Sequence, residues 1–557
     1  MRGLAGLVAL LTLALVAAVL PGAGTATTTL SKAAAPPSTQ PNIVLVLLDD
    51  FSMDLVQTLH SAETMRARGA SYPRSFVVDS LCCVSRTSTF TGQYPHQTGV
   101  RTNVADLRHP QDPQGGWTAF AANGNRDRTV AVRLQRAGYT TGYVGKYLNE
   151  YEYRPGGPIP PVIPGWSDLR VVFGSAYDGW EFWSTRLEDG AYQLVNHPAP
   201  PPEASGLAKD TAYAGTVIDV EALDFITEHE DDPTPYFLQV APYAPHSRVN
   251  PRPHYEGDPF FPPAFSDRPG PGQPTGNCGR VPCASLTLRD LPGYADPQGD
   301  NGPRTYDGAP APAWNQNPSG LPPGTALTML RNRARMAQSA DRMVTRILDA
   351  VSPDTYVILT SDNGFHLGQH GLSLGKGTAY TTDTRVPLLV VGPGVKPGRR
   401  REIVTNLDLA PTLERLAGLR PAGYRSGHSL LPSLADPRAR DRDYVFFEHT
   451  WSGYRAGDPD RVDSGLDVVP SYVAVRSRTR LLIRLDLDRS AGTRYVWEFY
   501  DLTRDRFEKT NLYGRAEYAD DVRLLRGELR GLDACTVDVR NDPVRGDCRR
   551  LADAPPA

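Results

Sequence analysis

The chain has 557 residues, of which 40% are hydrophobic and 22% charged, enough apolar material for more than one core. A formal net charge of -3 argues against a dedicated nucleic-acid binder, which needs a clear basic excess. With 51 prolines and 51 glycines, long ordered loops are expected between the regular elements.

Arg2 precedes an apolar run from Leu4 to Leu20, followed by Pro21 and the small residues Gly24, Thr25 and Ala26. This reads as an export signal over residues 1–26, cleaved after Ala26, and predicts a secreted protein with no stable membrane insertion once the signal is removed. An uncleaved anchor is the alternative, because the run is close to the shortest length that spans a bilayer. Residues 27–40, rich in Ala, Pro, Ser and Thr, read as a flexible leader.

Asn42–Leu48 is a continuous apolar run of strand length, as expected for a strand covered on both faces. Tyr139–Gly145, Tyr236–Ala241, Tyr356–Thr360 and Leu388–Val391 repeat that pattern. Helical stretches lie at Met53–Arg68, Asp210–Glu230, Ala326–Val351 and Leu407–Leu416. Alternation of this kind predicts an α/β fold, with a mostly parallel central sheet and helices on both faces. Arg154–Val172 and Asn250–Pro323 read as Pro/Gly-rich insertions. Residues 41–440 are expected to form the catalytic domain. Residues 441–557 form a C-terminal α+β subdomain: strands at Tyr444–Phe447, Tyr472–Arg476, Thr479–Leu485 and Tyr495–Tyr500 in a small antiparallel sheet, with a helix at Asp521–Leu532.

In an oxidising compartment, four of the six cysteines divide into two local pairs, Cys278 with Cys283 and Cys535 with Cys548, although four cysteines allow three pairings. Cys82 and Cys83 remain, as two buried thiols, a vicinal disulfide or something more specialised.

A parallel sheet binds ligands beyond the carboxyl ends of its strands, and the polar residues of interest follow strands. Asp49-Asp50 follows the first, and Ser361-Asp362-Asn363-Gly364 follows the Tyr356 strand. Adjacent carboxylates there are costly unless a cation or a basic partner neutralises them. An all-oxygen set suits Ca²⁺, or alternatively Mg²⁺, better than Zn²⁺. His366 and His370 have metal-pair spacing only on a helix, and Gly364, Gly368 and Gly371 predict a loop instead. Asp341, among charged neighbours at helical spacing, reads as solvated.

The run Ser80-Leu81-Cys82-Cys83-Val84-Ser85-Arg86-Thr87-Ser88-Thr89-Phe90-Thr91-Gly92 resembles the signature of the sulfatase family. There a Cys, any residue, Pro, a small residue and Arg precede a short helix ending in Thr-Gly. The resemblance continues through Gly145-Lys146, the Pro242–His246 stretch PYAPH, the Ser361–Lys376 stretch SDNGFHLGQHGLSLGK, Tyr380, Arg385-Val386-Pro387, Gly392-Pro393-Gly394, NLDLAPTL at Asn406–Leu413 and FYDLTRDRFEKTNL at Phe499–Leu512. The stretch Gly145–Tyr151 and the Cys82-Cys83 doublet are most similar to the N-acetylglucosamine-6-sulfatase branch.

The resemblance implies an alkaline phosphatase/sulfatase-like fold and a secreted sulfuric ester hydrolase acting on a sulfated carbohydrate or other sulfate ester. It also implies a formylglycine-generating enzyme as partner, converting Cys82 to the nucleophile. On the same basis Asp49, Asp50, Asp362, Asn363 and the modified Cys82 hold Ca²⁺. Arg86 orients the hydrate, Lys146 and Lys376 bind sulfate oxygens, and His246 protonates the leaving alkoxide. Asn149 and His366 line the substrate. Three positions depart from the family pattern: Val84 replaces its Pro, Leu148 stands where a His is frequent, and Thr381 replaces an acidic residue. A phosphoester or phosphonate hydrolase, or a catalytically impaired binder of sulfated glycan, are the alternatives.

Overall fold

The computed structural model describes residues 40–551 except 107, 109–112, 189, 297–298, 315–319, 440–441, 453–457, 462–467, 489–491, 493 and 536–547. The export signal and nearly all of the leader therefore lie outside the described residues.

The central sheet has eight strands: β1 (Ile43–Leu48), β2 (Ala70–Ser71), β3 (Thr140–Gly145), β4 (Asp168–Val171), β5 (Tyr236–Ala241), β6 (Tyr356–Ser361), β7 (Leu388–Val391) and β8 (Gly398–Arg399). Their spatial order is β8-β2-β7-β6-β1-β5-β3-β4, and only β7 runs antiparallel to its neighbours. Alternation along β1 explains its unbroken apolar sequence. Val44, Val46 and Leu48 enter a cluster with the helices Ala214–His229 and Pro323–Ala350, whereas Ile43, Leu45 and Leu47 enter a second cluster with Val130–Arg136 and Leu409–Leu416. Each face thus buries its own helical layer, as the α/β expectation requires.

Four sequence readings are corrected. The helix expected at Met53–Arg68 is a 3-10 turn, Met53–Thr58, then a separate helix, His60–Arg68. Leu59 between them is extended, and Thr58 Oγ1 donates back to Leu55 O at 2.7 Å, closing the first turn. Asp341 is buried rather than solvated: it accepts from the N–H groups of His60 and Ser61 at 2.9 and 2.8 Å, capping the new helix from 280 residues away. The helix read from Asp210 is two helices, Gly206–Thr211 and Ala214–His229, parted by an extended Tyr213 whose ring packs on Trp180. Finally, the Arg154–Val172 insertion contains β4, the edge strand of the sheet, paired in parallel with β3. Next along the chain, Phe182–Glu188 and Ala191–His197 form a hairpin that the sequence reading also missed.

Toward the C-terminus, Val445–His449, Ser471–Arg476, Arg480–Asp486 and Tyr495–Asp501 form a four-stranded antiparallel sheet. One face packs on Phe76 and Tyr380, the other on Leu525, Leu529 and Leu532 of the helix Ala519–Ala534. Disulfides join Cys278 to Cys283 and Cys535 to Cys548, as expected, while Cys82 and Cys83 are unpaired and buried.

Candidate active site

Strand register assembles the site. Leu48 at the end of β1 lies opposite Ser361 at the end of β6, so Asp49-Asp50 and Asp362-Asn363 emerge side by side. On the other flank Gly145 lies opposite Ala241, which starts Lys146 and the loop to His246 from one level. The fully buried helix Cys82–Thr91 points its first residue at these strand ends. Its end is set by Gly92, at φ +62°, where an added Cβ would come within 2.9 Å of Arg425 Cδ.

Ion pairs and hydrogen bonds tie these residues into one buried set. Lys146 Nζ lies 2.6 Å from Asp49 Oδ2, and Lys376 Nζ lies 2.6 Å from Asp50 Oδ1 and 2.7 Å from Cys82 Sγ. Cys82 Sγ is 3.5 Å from Asp49 Oδ1 and 3.7 Å from Asp50 Oδ1. Arg86 Nε donates to Asp362 Oδ2 at 2.7 Å, and its Nη1 donates to the Lys146 carbonyl at 2.7 Å. Asn363 Nδ2 donates to Asp50 Oδ1 at 2.6 Å. His246 Nδ1 donates to the Ser247 carbonyl at 2.8 Å, leaving Nε2 3.5 Å from Asp50 Oδ2. Asp49, Asp50, Cys82 and His246 each offer a ligand atom within 4.8 Å of the others.

Burial sets the electrostatics. Dehydration pushes the Cys82 thiol well above its usual value, against the pull of Lys146 and Lys376. Burial would also raise Asp49 and Asp50, but Lys146 and Lys376 respectively, with His246, outweigh it and hold both carboxyls low. Asp362 is pushed up to about 6 by burial and by Asp49, despite Arg86. Burial would lower His246, yet Asp50, Asp49 and a bond to Asp460 hold it above its ordinary value.

Two buried oxygens in this set, Asp50 Oδ2 and Asn363 Oδ1, accept no hydrogen bond among the described residues, and His246 Nε2 comes no nearer than 3.5 Å to the first. Orphaned oxygens beside a carboxylate driven upward are the mark of a missing positive charge. The donor set Asp49, Asp50, Asp362 and Asn363 therefore fits a hard divalent cation.

Asn149 and His366 stand apart from the set. Asn149 is buried and its carboxamide makes no hydrogen bond among the described residues. His366 pairs with Gly375 across a short antiparallel bridge, next to Lys376, and its Nδ1 is held by Asp383 at 2.9 Å. His370 lies in a loop, as expected, stacked on Tyr380 at 4.0 Å. Val84 is buried in the first turn of the Cys82 helix beside Leu81, and Leu148 is buried in the core. Thr381, where the family has an acid, donates to the carboxylate of Glu508, so the negative charge arrives from the C-terminal sheet region.

Sequence reasoning missed two members. Asp460 Oδ1 lies 3.1 Å from His246 Nε2 and 3.0 Å from Lys376 Nζ, and Asn103 Nδ2 donates to its Oδ2 at 2.6 Å. Arg333 donates to the Asp50 carbonyl and to Ser52 Oγ, holding Asp50 at φ +56°, in the left-handed region. No motif marked either residue, because each reaches the site from a distant helix or turn.

Fold and site define an α/β protein with a buried oxygen cluster lined by lysines and an arginine at the carboxyl ends of its strands. The comparisons with known proteins are more specific. The chain belongs to the sulfatase family: the family model described as Sulfatase matches residues 41–419, and one described as N-sulphoglucosamine sulphohydrolase, C-terminal, matches 368–534. The extracellular sulfatase SULF-1 homolog of Drosophila melanogaster is 30% identical over 421 residues, covering 72% of this chain and 32% of that protein. Human N-acetylglucosamine-6-sulfatase is 27% identical over 435 residues, covering 75% of this chain and 69% of the relative. The chain thus spans about a third of the first relative and over two thirds of the second. A structure solved in complex with its substrate D-glucosamine-2-N,6-O-disulfate shares the fold, with TM-score 0.58 and 20% identity over 91% of this chain and 99% of that one.

Proposed function

We propose that this chain is a secreted, metal-dependent sulfatase that hydrolyses sulfate monoesters of a sulfated sugar, with Cys82 as the precursor of its nucleophile. The observation that carries this reading is the convergence of Cys82 Sγ, Asp49, Asp50 and His246 within 4.8 Å, with Lys146 and Lys376 alongside. A buried thiol driven far above its usual pKa is a poor nucleophile as it stands, which favours its conversion. Converted to formylglycine by a formylglycine-generating enzyme, position 82 supplies a hydrated aldehyde, one hydroxyl to attack and a second to release sulfate.

Asp49, Asp50, Asp362 and Asn363 would hold the cation, Ca²⁺ before Mg²⁺ because every donor is oxygen, and that ion would neutralise charge on the sulfate oxygens. Lys146 and Lys376 bind the remaining sulfate oxygens, and Arg86, pinned between Asp362 and the Lys146 carbonyl, fixes the residue at position 82. His246 Nδ1 donates to the Ser247 carbonyl, and its Nε2, which faces Asp460 Oδ1 at 3.1 Å, carries the proton that would pass to the leaving alkoxide. Asn149 and His366 contribute to the substrate wall.

A sulfated sugar is favoured by the human N-acetylglucosamine-6-sulfatase relative and by the neighbour bound to a glucosamine disulfate. Secretion is favoured by the N-terminal sequence and by a relative named as extracellular. Among the described residues no helix is long and apolar enough to cross a membrane. Turnover of N-acetylglucosamine 6-sulfate, an aryl sulfate and an aryl phosphate tests the reading. Sulfate release from the first two supports it, and reaction of the phosphate alone overturns it.

A further inference from the structure

A second cationic centre lies apart from the catalytic set. A cavity of about 340 Å³ is lined by six arginines, Arg74, Arg385, Arg399, Arg476, Arg478 and Arg506, and none of its lining residues belongs to the set around Cys82. Its size suits a sugar-sized ligand rather than a water or two. The chain as a whole carries a net charge of -3, so a concentration of guanidinium groups here is not a reflection of overall composition.

Pairing distinguishes this cavity from an ordinary ion-pair network. Among the described residues two of the six arginines meet a carboxylate: Arg478 Nη2 lies 3.1 Å from Asp443 Oδ1, and Arg476 Nη1 lies 2.9 Å from Glu508. Glu508 also accepts from the Thr381 backbone N–H at 3.2 Å and from its hydroxyl, so its capacity is largely used. Arg385 Nε donates to the Pro73 carbonyl at 2.8 Å, a neutral acceptor, and only the more distant charge of Glu508 offsets the neighbouring arginines among the described residues. Arg74, Arg399 and Arg506 have no carboxylate within ion-pair distance among the described residues.

The groups that act on Arg74 are Arg399, Arg476 and Arg506, all repulsive. Burial, with Arg476 and Arg506, pushes even the Arg385 guanidinium down to about 10. Buried Arg476 and half-buried Arg385 make the floor, while Arg399 and Arg506 are exposed at the rim. Phe76, 4.6 Å from the Arg476 guanidinium, and Phe507 add apolar surface beside the charges. Forked, permanently charged donors next to apolar surface match the oxygens of sulfate or phosphate carried on a carbon frame.

We propose that this arginine cavity is a second oxyanion site, taking a sulfate or phosphate group while the catalytic cleft works on another. The same chemistry has two sources, a distant sulfate group on a polysulfated chain or free inorganic oxyanion, and the two differ in affinity. The inference stands on the unpaired arginines and not on the catalytic reading, so binding tests it without turnover.

The experiment is calorimetric titration of a heparin-derived tetrasaccharide, and separately of inorganic sulfate, into the Lys376→Met protein, with and without Arg74→Gln and Arg506→Gln. Neither guanidinium has a carboxylate partner among the described residues, and Arg506 is exposed, so their replacement relieves repulsion. Thermal unfolding at low salt is expected at the same or a higher temperature than before. The expected result is a site retained in Lys376→Met and weakened tenfold or more by the two arginine changes. Aryl sulfate turnover by the Arg74→Gln/Arg506→Gln protein with Lys376 intact stays within twofold of the unaltered chain. Tighter binding of the tetrasaccharide than of sulfate assigns the site to a sulfated chain, and equal binding assigns it to free oxyanion. Unchanged affinity for both ligands after the arginine substitutions overturns the proposal. A wild-type protein that binds in this way yet hydrolyses no sulfate ester would sink the catalytic reading alone.

Discussion

The ammonium of Lys376 lies 2.7 Å from Cys82 Sγ and 2.6 Å from Asp50 Oδ1, bridging residues that are distant in sequence at the centre of the buried set. A charge placed there serves whatever anion forms at position 82, and it costs nothing to reorganise because the surrounding carboxylates already fix it. Replacing it with Met, similar in length but uncharged, is expected to lower kcat/KM on an aryl sulfate by roughly 10²–10³-fold. Steady-state kinetics together with circular dichroism check this. A loss of less than about fivefold in a folded protein would remove Lys376 from the mechanism.

The orphaned oxygens of Asp50 and Asn363 predict a linked effect on activity and stability. Chelation is expected to abolish turnover and lower the unfolding temperature, and Ca²⁺ to restore both. At a free ion concentration 100-fold over Kd the bound cation contributes about 2.7 kcal/mol. Differential scanning calorimetry with and without chelator measures it, and an unchanged transition counts against the metal.

Asp341 caps the His60–Arg68 helix, whose own N-cap residue, Leu59, has no side chain able to accept. Asp341→Ala leaves the buried Ser61 N–H and hydroxyl, and the part-exposed His60 N–H, without their acceptor, and a loss of about 1–3 kcal/mol is expected. Urea unfolding provides the value. Activity at low temperature is expected to survive, since Asp341 touches none of the residues around Cys82.

Glu152 is pushed up to about 7 by burial, against the Gly174 N–H that donates to it at 2.7 Å and the charge of Lys146. A folded pKa above the unfolded 4.5 means that this group favours folding while protonated and loses that advantage as pH rises through about 7. Glu152→Gln is therefore expected to match the parent at pH 4 and exceed it at pH 8. The residue is only half-buried, and solvent screening limits the gain to on the order of 1–2 kcal/mol. Denaturant midpoints at the two pH values decide it.

Much of the fold was legible because strands buried on both faces carry mostly apolar runs, unbroken in β1 and β7 and interrupted only by a few small or polar residues in β3, β5 and β6. The short edge strand β4 carries Asp168 and Arg170 and offers no such run, so it read as loop. At the site, the residues just after strands were visible as polar punctuation in apolar sequence. Asp460, Arg333 and Asp341 were not, since their meaning comes from partners more than 80 residues away: Lys376 and His246, the Asp50 carbonyl, and the His60 helix. A local pattern cannot distinguish such a buried charge from a solvated one.

The most direct test of the central claim is the mass of the tryptic peptide Ser75–Arg86, from protein exported by its own host. The account predicts a mass loss matching exchange of the Cys82 thiol for an aldehyde, with Cys83 unchanged and Val84 tolerated at the position where the family has Pro. A peptide carrying two intact cysteine thiols in an enzyme that still turns over sulfate esters would contradict it.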